Sequence, residues 1–326
     1  MKILNVISSI FLGLLSINSI AQKQNTNTIQ TISISDSVSY SYKKPTFNEI
    51  YKHIPKDIAQ FANFTIQKDN LKWTSLAFGS TIALIPFDQQ LTNGAIDLGH
   101  RIDWDKDHSY NKVFGVLRII PNDINSAVYY IANGGTTVLL SGTFYAIGKI
   151  NNDYRALTTS NELVEVLLSV GLVTQTIKRI TGRQSPSEAI LSGNSGGHWT
   201  PFPSFNAFQS NTPNYDAMPS GHIATFMATI TVISTNYPEI KWIKPIGYTL
   251  MGIIGFEMVS SKVHWVSDYP IAILIGYVIG KNAANRRILK TKKTDITNEI
   301  KEAKFKTDFN FIFTNQYKTI GVTLTF

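Results

Sequence analysis

The sequence contains no cysteine, which excludes disulfide frameworks, thiolate metal sites and cysteine nucleophiles. Charged residues are also scarce, at 16% of the chain where about 25% is usual for soluble proteins. The 30 Lys and Arg against 22 Asp and Glu give a net charge of +8, but the basic residues are not gathered in one arm except near the C-terminus. The charge pattern therefore does not favour nucleic-acid binding.

Apolar residues are plentiful, at 43% of 326 residues. That is enough for one large domain or two small ones with a sizeable core, and it excludes a fully disordered chain.

The first 21 residues have the layout of a secretory signal peptide. Lys2 supplies the positive start, residues 3–15 the apolar stretch, and Ser19-Ile20-Ala21 the small-residue cleavage site. We expect export, with an uncut first membrane helix as the alternative. Residues 22–45, rich in Gln, Asn, Thr and Ser, predict a flexible polar leader.

From residue 47 the apolar pattern is helical, and we predict an all-α bundle over residues 46–290. Long polar loops are predicted at 88–112 and 183–218, where Gly, Pro, Asn and Asp accumulate. The predicted helices cover 55–66, 71–86, 125–148, 161–181, 221–236, 244–260 and 267–282.

Residues 291–326 predict a basic linker followed by a short β-hairpin. Apolar residues alternate in two runs, 309–313 and 320–326, separated by Asn315-Gln316. We expect the hairpin to pack on the helical body, because two strands cannot close an outer-membrane barrel.

Only two stretches, 124–148 and 217–238, stay uncharged over the ~18–20 residues that a membrane span needs. The basic run after residue 281 would suit a cytoplasmic end of a spanning bundle. We favour an exported, mostly non-spanning protein of the periplasm or cell envelope, with membrane association as the open alternative.

Three separated blocks hold the candidate chemistry. Residues 178–186 are a basic helix end that turns into a loop. Residues 219–222, Pro-Ser-Gly-His, lie where an apolar helix begins, and residues 264–268, His-Trp-Val-Ser-Asp, precede the last apolar helix.

The second block suits a phosphate. Ser220 is a good helix N-cap, and Gly221 allows close backbone approach. A helix N-terminus presents unpaired N–H groups and a partial positive charge to an anion, and His222 lies in the first turn. An ordinary capped helix with a buried histidine is the alternative.

The third block pairs His264 with Asp268, four residues apart and so on one face of a helix. The carboxylate would accept a hydrogen bond from one imidazole nitrogen and leave the other as a nucleophile or base. In the first block, Lys178, Arg179 and Arg183 supply cations for phosphate oxygens. Taken singly, such groups are also ordinary helix decoration.

Together, the three blocks resemble the signature of the type 2 phosphatidic acid phosphatase and vanadium haloperoxidase superfamily, over about residues 70–282. The resemblance implies a helical bundle that needs no divalent metal or other cofactor. It also implies that His264 attacks phosphorus to form a phosphohistidine, that Asp268 orients it, and that His222 protonates the leaving group. Lys178 and the backbone at Ser220-Gly221 would hold the phosphate oxygens.

Two arginines of that signature are replaced. The first motif has Ser185 before Pro186, and the third has Glu257-Met258 where the family has Ser-Arg. Removing one such transition-state donor commonly costs about 10²–10³ in rate. We expect Arg183 to compensate, because a lysine such as Lys262 cannot reproduce a bidentate guanidinium grip.

The sequence thus predicts a metal-independent phosphatase for a phosphomonoester or pyrophosphate, of a small molecule or a lipid. The alternative is a catalytically impaired phosphate-binding or scaffold protein on the same fold. A vanadate-dependent haloperoxidase shares the constellation but would need the same missing arginines. Asp103, Asp105 and Asp107 resemble part of a calcium loop but lack its Gly and distal Glu, so no metal site is predicted.

Overall fold

The computed structural model describes residues 28–102, 104, 110–113, 117–132, 134–292, 306–313 and 318–325. The described residues form two compact units, one with those of 28–30 and 42–289, the other with those of 31–41 and of 290–325. The predicted signal peptide and the aspartates at 103, 105 and 107 lie outside the described residues.

The first unit is a helical bundle, so the predicted fold class is confirmed. It also contains an antiparallel pair of strands, β3 (Tyr110–Val113) and β4 (Leu117–Pro121). Its helices are α1 (Asn48–Ile66), α2 (Leu71–Leu84), α3 (Asp88–Arg101), α4 (Ile124–Ala132), α5 (Gly134–Asn151), α6 (Tyr154–Thr181), α7 (Pro186–Ser192), α8 (Phe205–Ser210), α9 (Gly221–Asn236), α10 (Ile243–Ser260) and α11 (Tyr269–Arg287).

The core of the bundle lies where α6, α9, α10 and α11 meet. Its buried side chains are mainly aliphatic, including Leu163, Val166, Ile223, Ile254 and Ile275. Helices α9 and α11 approach especially closely, because a Cβ atom on Gly276 would lie 2.2 Å from the carbonyl oxygen of Ala224. The absence of a side chain at Gly276 therefore allows the two helices to pack in close contact.

Helix ends bring the three sequence blocks to one end of the bundle. Helix α6 ends at Gly182, whose φ of 55° is left-handed, as is common just after a helix. Helix α9 begins after Ser220, whose hydroxyl accepts a hydrogen bond from the N–H of Ile223. Helix α11 follows directly on a 3₁₀ turn, Val266–Asp268.

The loop predicted at 88–112 is wrong in its first half, which is α3. Asp88, Thr92 and Gly99 form its buried face, at helical spacing. Gly99 packs against Ser260 of α10, where a methyl group would come within 3.3 Å of the serine Cβ. The buried face is polar or glycine, so no apolar period marked this helix. The loop predicted at 183–218 contains the short helices α7 and α8.

The flexible leader predicted at 22–45 is corrected for its described part. Strands β1 (Ile29–Ser35) and β2 (Val38–Lys43) occupy most of it. Their Ile, Val and Tyr residues alternate with Ser and Thr, a period of two that indicates a strand. Tyr42 is fully buried, and its hydroxyl donates to the carbonyl of Asn236 at 3.3 Å.

The second unit contains two small sheets. Strand β5 (Leu289–Lys292) joins β1 and β2 in the order β1-β2-β5. Strands β6 (Lys306–Phe313) and β7 (Lys318–Thr325) pair antiparallel, with Phe311 opposite Ile320, so the predicted terminal hairpin forms. Residues 293–305 of the predicted linker lie outside the described residues.

Among the described residues, α6 alone is both long and apolar enough to cross a membrane. Of the apolar 18-residue stretch within this helix, 72% is buried inside the structure. The two stretches predicted from their lack of charge fall instead on α4–α5 and α9.

Candidate active site

The two predicted catalytic histidines are in direct contact at the end of the bundle. Nδ1 of His222, in the first turn of α9, lies 3.2 Å from Nε2 of His264. His264 is 2% exposed, and His222 is half-buried. The ring of Tyr129 from α4 lies beside His222, with centroids 5.7 Å apart.

Hydrogen bonding fixes the tautomer of His264. Its Nδ1 lies 2.8 Å from the carbonyl oxygen of Ala217, which can only accept. Nδ1 therefore carries the proton, and the lone pair of His264 is on Nε2. It follows that the proton between the two rings belongs to Nδ1 of His222.

Asp268 lies near His264 as predicted, but not on a shared helix face. The backbone after His264 is extended at Trp265 before the 3₁₀ turn begins. Oδ2 of Asp268 accepts the N–H of Trp265 at 2.8 Å and lies 3.5 Å from Nδ1 of His264. Asp268 therefore fixes the turn more directly than it fixes the imidazole ring.

Asp268 is fully buried and ionised. Burial alone would raise the pKa of this carboxyl, but the charge of Arg183 and the hydrogen bond with His264 together hold the pKa below its usual value. The carboxylate supplies a permanent negative charge behind the imidazole, which favours a positive charge developing on that ring.

Arg183 does not reach the phosphate position predicted for it. It is fully buried, and its Nη1 donates to Asp268 at 2.7 Å while its Nη2 donates to Asp88 at 2.6 Å. The rings of Trp199 and Trp265 lie beside the guanidinium. The two carboxylates, the hydroxyl of Ser267 and the carbonyl of Gly196 accept from its Nη atoms, so this buried arginine serves as a structural cation.

Lys178 lies in the last turn of α6 and is paired within the protein. Its Nζ is 3.3 Å from Oδ2 of Asp216, with side-chain exposures of 7% for the lysine and 29% for the aspartate. A bound phosphate would therefore compete with Asp216 for this ammonium group.

The backbone at Ser220-Gly221 is placed as predicted, at the start of α9 and next to His222. The N–H of Ser220 is already used, since it donates to the carbonyl of Asp268. At Gly221 a Cβ atom would meet no atom within 4 Å, so the backbone there borders open space. The first N–H groups of a helix have no intrahelical partner and can bind an anion.

The positions of the two missing arginines are buried. Ser185 accepts a hydrogen bond at the start of α7, and Met258 is fully enclosed in the core. The other cations considered from the sequence lie elsewhere: Arg179 stacks on Phe208, with 3.7 Å to the ring centroid, and Lys262 is exposed. Among the described residues, no group of three or more His, Asp or Glu side chains could hold a metal ion.

Sequence reasoning missed three neighbours of the site: Asp88, Asp216 and Tyr129. None belongs to a recognisable motif. The pKa of Tyr129 is raised by burial first and then by the charges of Glu257 and Asp216. The local sequence around Asp88 gives one indication of its place: a proline followed by an aspartate is typical of a helix start, and Asp88 follows Pro86-Phe87 there.

A comparison with known protein families matches residues 160–287 to the PAP2 superfamily. This span contains all three sequence blocks but neither Asp88 nor Tyr129. Searches of curated proteins and of solved structures give no match.

Proposed function

Because residues 160–287 belong to the PAP2 superfamily, we propose that this protein is a phosphatase that uses His264 as its nucleophile. Members of the superfamily are usually phosphatases or other hydrolases. The observation that carries the proposal is the joint placement of His222, His264, Asp268 and Lys178 at one end of the bundle, with the lone pair of His264 directed at His222. The substrate class is a phosphomonoester or pyrophosphate, of a small molecule or a lipid, cleaved without a metal ion.

The reaction has two steps. Nε2 of His264 attacks phosphorus and the bond to the leaving oxygen breaks, while the imidazolium form of His222 gives its Nδ1 proton to that oxygen and becomes neutral. Water then attacks the phosphohistidine, His222 takes a proton from the water, and the P–N bond breaks to release phosphate. Asp268 stabilises the charge on the His264 ring, and Lys178 with the Gly221 backbone stabilises charge on the phosphate oxygens.

Substrate must separate the two histidines. A phosphorus atom at attack distance from Nε2, with its leaving oxygen hydrogen-bonded to Nδ1 of His222, needs roughly 6 Å between the two nitrogens. They are 3.2 Å apart in the structure. His222 is the half-buried partner, so its side chain is the one expected to move.

Specific observations favour a second candidate, a phosphate-binding or scaffold protein with impaired catalysis. Ser185 and Met258 place no cation at the signature positions, and Asp216 is paired with Lys178. A site whose lysine is already paired with a carboxylate stabilises phosphate charge poorly.

Phosphate release by the purified mature chain separates the two candidates. The panel holds a chromogenic phosphomonoester, phosphatidate, a polyprenyl diphosphate and a phosphorylated glycolipid, each with a chelator present. We expect turnover that His264→Ala abolishes. With a ³²P-labelled substrate, an alkali-quenched sample of the wild type should carry label on His264, because a phosphohistidine is stable in base and hydrolyses in acid. Folded wild type and variant that are equally inactive on every member would favour the scaffold.

Restoring arginine at residues 185 and 258 is a further discriminator. It should leave a working enzyme little improved, whereas an impaired one should gain activity. Both side chains are buried, so the folded state of each variant is checked by circular dichroism.

We also propose that the chain is exported and acts in the periplasm or cell envelope, in contact with membrane lipid. The signal-like residues 1–21 support export. Members of the superfamily are often membrane-associated, which supports a place at the membrane.

A further inference from the structure

Asp88, the first residue of α3, lies fully buried behind the candidate active site. Its Oδ2 accepts hydrogen bonds from Nη2 of Arg183 at 2.6 Å and from the hydroxyl of Ser267. Its Oδ1 accepts the backbone N–H of Ser267 at 3.0 Å. One carboxylate thus contacts both the structural arginine and the turn that follows His264.

Arg183 connects this carboxylate to the site. Its Nη1 donates to Asp268 and, at 2.6 Å, to the hydroxyl of Ser267. The single guanidinium therefore bridges two buried carboxylates. Buried charges of this kind persist only when they are paired and hydrogen-bonded, so the loss of one partner disturbs the others.

The turn held by Asp88 carries the reacting groups. Ser267 is the middle residue of the Val266–Asp268 turn, His264 lies two residues before that turn, and Asp268 closes it. The carbonyl of Asp268 also accepts the N–H of Ser220 at the start of α9. A shift of this turn would therefore move Nε2 of His264 relative to His222.

We propose that Asp88 is a positioning residue for the proposed phosphatase, fixing the turn that carries His264 and Asp268 through Arg183 and Ser267. It touches neither the substrate nor the reacting atoms. The inference rests on the proposed function and adds a residue from outside the 160–287 segment, whose partners lie 95 and 179 positions away in the chain.

The chain offers a matched control in Asp57 of α1. Asp57 is also fully buried, and it accepts hydrogen bonds from one arginine, Arg286, and one serine hydroxyl, that of Ser169 at 2.8 Å. Arg286 lies in the last turn of α11, whereas His264 and Asp268 precede the first residue of that helix. The two aspartates therefore act at opposite ends of α11. Asp57→Asn therefore repeats the chemical change without touching the site.

The test compares Asp88→Asn with Asp57→Asn. An asparagine amide directed at Arg183 would place a donor against a donor, so the turn loses its charged anchor. We expect kcat to fall about 10²-fold in Asp88→Asn with KM changed less than about threefold, because a small misplacement of the nucleophile affects the chemical step. Asp57→Asn should keep kcat within about twofold of the wild-type value, even if its melting temperature falls as much as that of Asp88→Asn.

A milder variant covers the case in which Asp88→Asn does not fold. Ser267→Ala removes one hydroxyl between Arg183 and Asp88 and keeps the backbone N–H. If Asp88 acts through Ser267 and Arg183, Ser267→Ala also lowers kcat, and the double variant is less impaired than the product of the single effects. Multiplicative effects, or a kcat loss that tracks melting temperature equally in the Asp57 control, would overturn the proposal.

A second readout needs no turnover. Long-range ¹H–¹⁵N correlation of the imidazoles, assigned with His264→Ala, reports which nitrogen of His264 is protonated. We expect Nδ1–H alone in wild type and in Asp57→Asn, and mixed tautomers in Asp88→Asn or Ser267→Ala. If the wild-type chain is inactive, the phosphatase proposal fails, but this spectrum still tests the role of Asp88. An unchanged His264 spectrum in both Asp88→Asn and Ser267→Ala would reject the positioning role.

Discussion

At the scale of single residues, the balance of charge around Lys178 decides how strongly an anion binds. The ammonium is 7% exposed and already paired with Asp216, which is 29% exposed. A phosphate must therefore displace or share this carboxylate, and the two negative charges repel each other.

We expect Asp216→Asn to tighten binding of inorganic phosphate about two- to fivefold. A partly exposed ion pair contributes about 0–1 kcal/mol, and removing it frees the lysine for the ligand. Calorimetric titration measures the change.

The control for this variant is Glu239→Gln, which breaks a comparable half-exposed pair with Arg155 at 2.7 Å. Arg155 lies in the first turn of α6, and Lys178 in its last, so the control pair is remote from the site. Equal phosphate affinity in wild type and Asp216→Asn would show that Asp216 does not compete with the ligand.

Motif spacing predicted which residues meet at the site but not what each one does there. Pro-Ser-Gly-His and His-x-x-x-Asp identify groups whose local geometry is set within a few residues, and the structure brings them together. Arg183 belongs to the same blocks, yet its direction depends on Asp88, 95 residues earlier, for which the sequence carries no pairing signal.

At the scale of secondary-structure elements, the crossing of α9 and α11 positions both helix starts at the site. We expect Gly276→Ala to destabilise the protein by about 1–3 kcal/mol, since the added methyl group overpacks the crossing. The new Cβ would lie 2.2 Å from the carbonyl of Ala224, so the helices must separate. Chemical denaturation measures the free energy of unfolding.

Gly142→Ala in α5 is the matched control, because a Cβ there meets no atom within 4 Å. Alanine has the higher helix propensity by about 1 kcal/mol, so this variant should be slightly stabilised. If both alanine variants are equally stable, close approach at Gly276 is not needed.

Helices with an apolar period were located from the sequence, although α1 and α6 begin at residues 48 and 154 instead of 55 and 161, and the predicted helix 125–148 is the pair α4 and α5. Helices α9 and α10 follow their predicted ranges within a few residues. Helix α3 buries an aspartate, a threonine and a glycine, so it was assigned to a loop. Strands β1 and β2 were assigned to a flexible leader because of their content of serine, threonine and glutamine, although their residues alternate with a period of two.

At the scale of the whole molecule, a buried ionic cluster ties α1, α6 and α11 together far from the site. Glu165 of α6 accepts hydrogen bonds from both Arg286 and Arg287, and Arg286 also pairs with Asp57. Fully buried Glu162 lies nearby, with burial raising its pKa to about 8 against the opposing charge of Arg287.

We expect the melting temperature to fall as pH rises from about 5 to about 9, by the linkage between proton binding and stability. Folded Glu162 holds its proton up to a pKa of about 8, whereas the unfolded chain releases it near 4.5. Its contribution is therefore fully present below pH 4.5 and lost as pH rises through 8. Scanning calorimetry at several pH values measures the slope.

Glu162→Gln is the comparison that isolates this group. Glutamine is uncharged at every pH and can still accept from Asn236, so the fall in melting temperature with pH should be smaller than in wild type. If melting temperature falls equally with pH in both proteins, a group other than Glu162 causes the pH dependence.

The contact between the two histidines also has a consequence for chemical reactivity. One nitrogen of His264 carries a proton that is donated to a carbonyl, and the other accepts the N–H of His222. An electrophile arriving from solvent therefore meets the half-buried His222 first and finds the nucleophile already occupied. The contact between the two rings thus protects the group that must react, and a ligand that separates the rings exposes it.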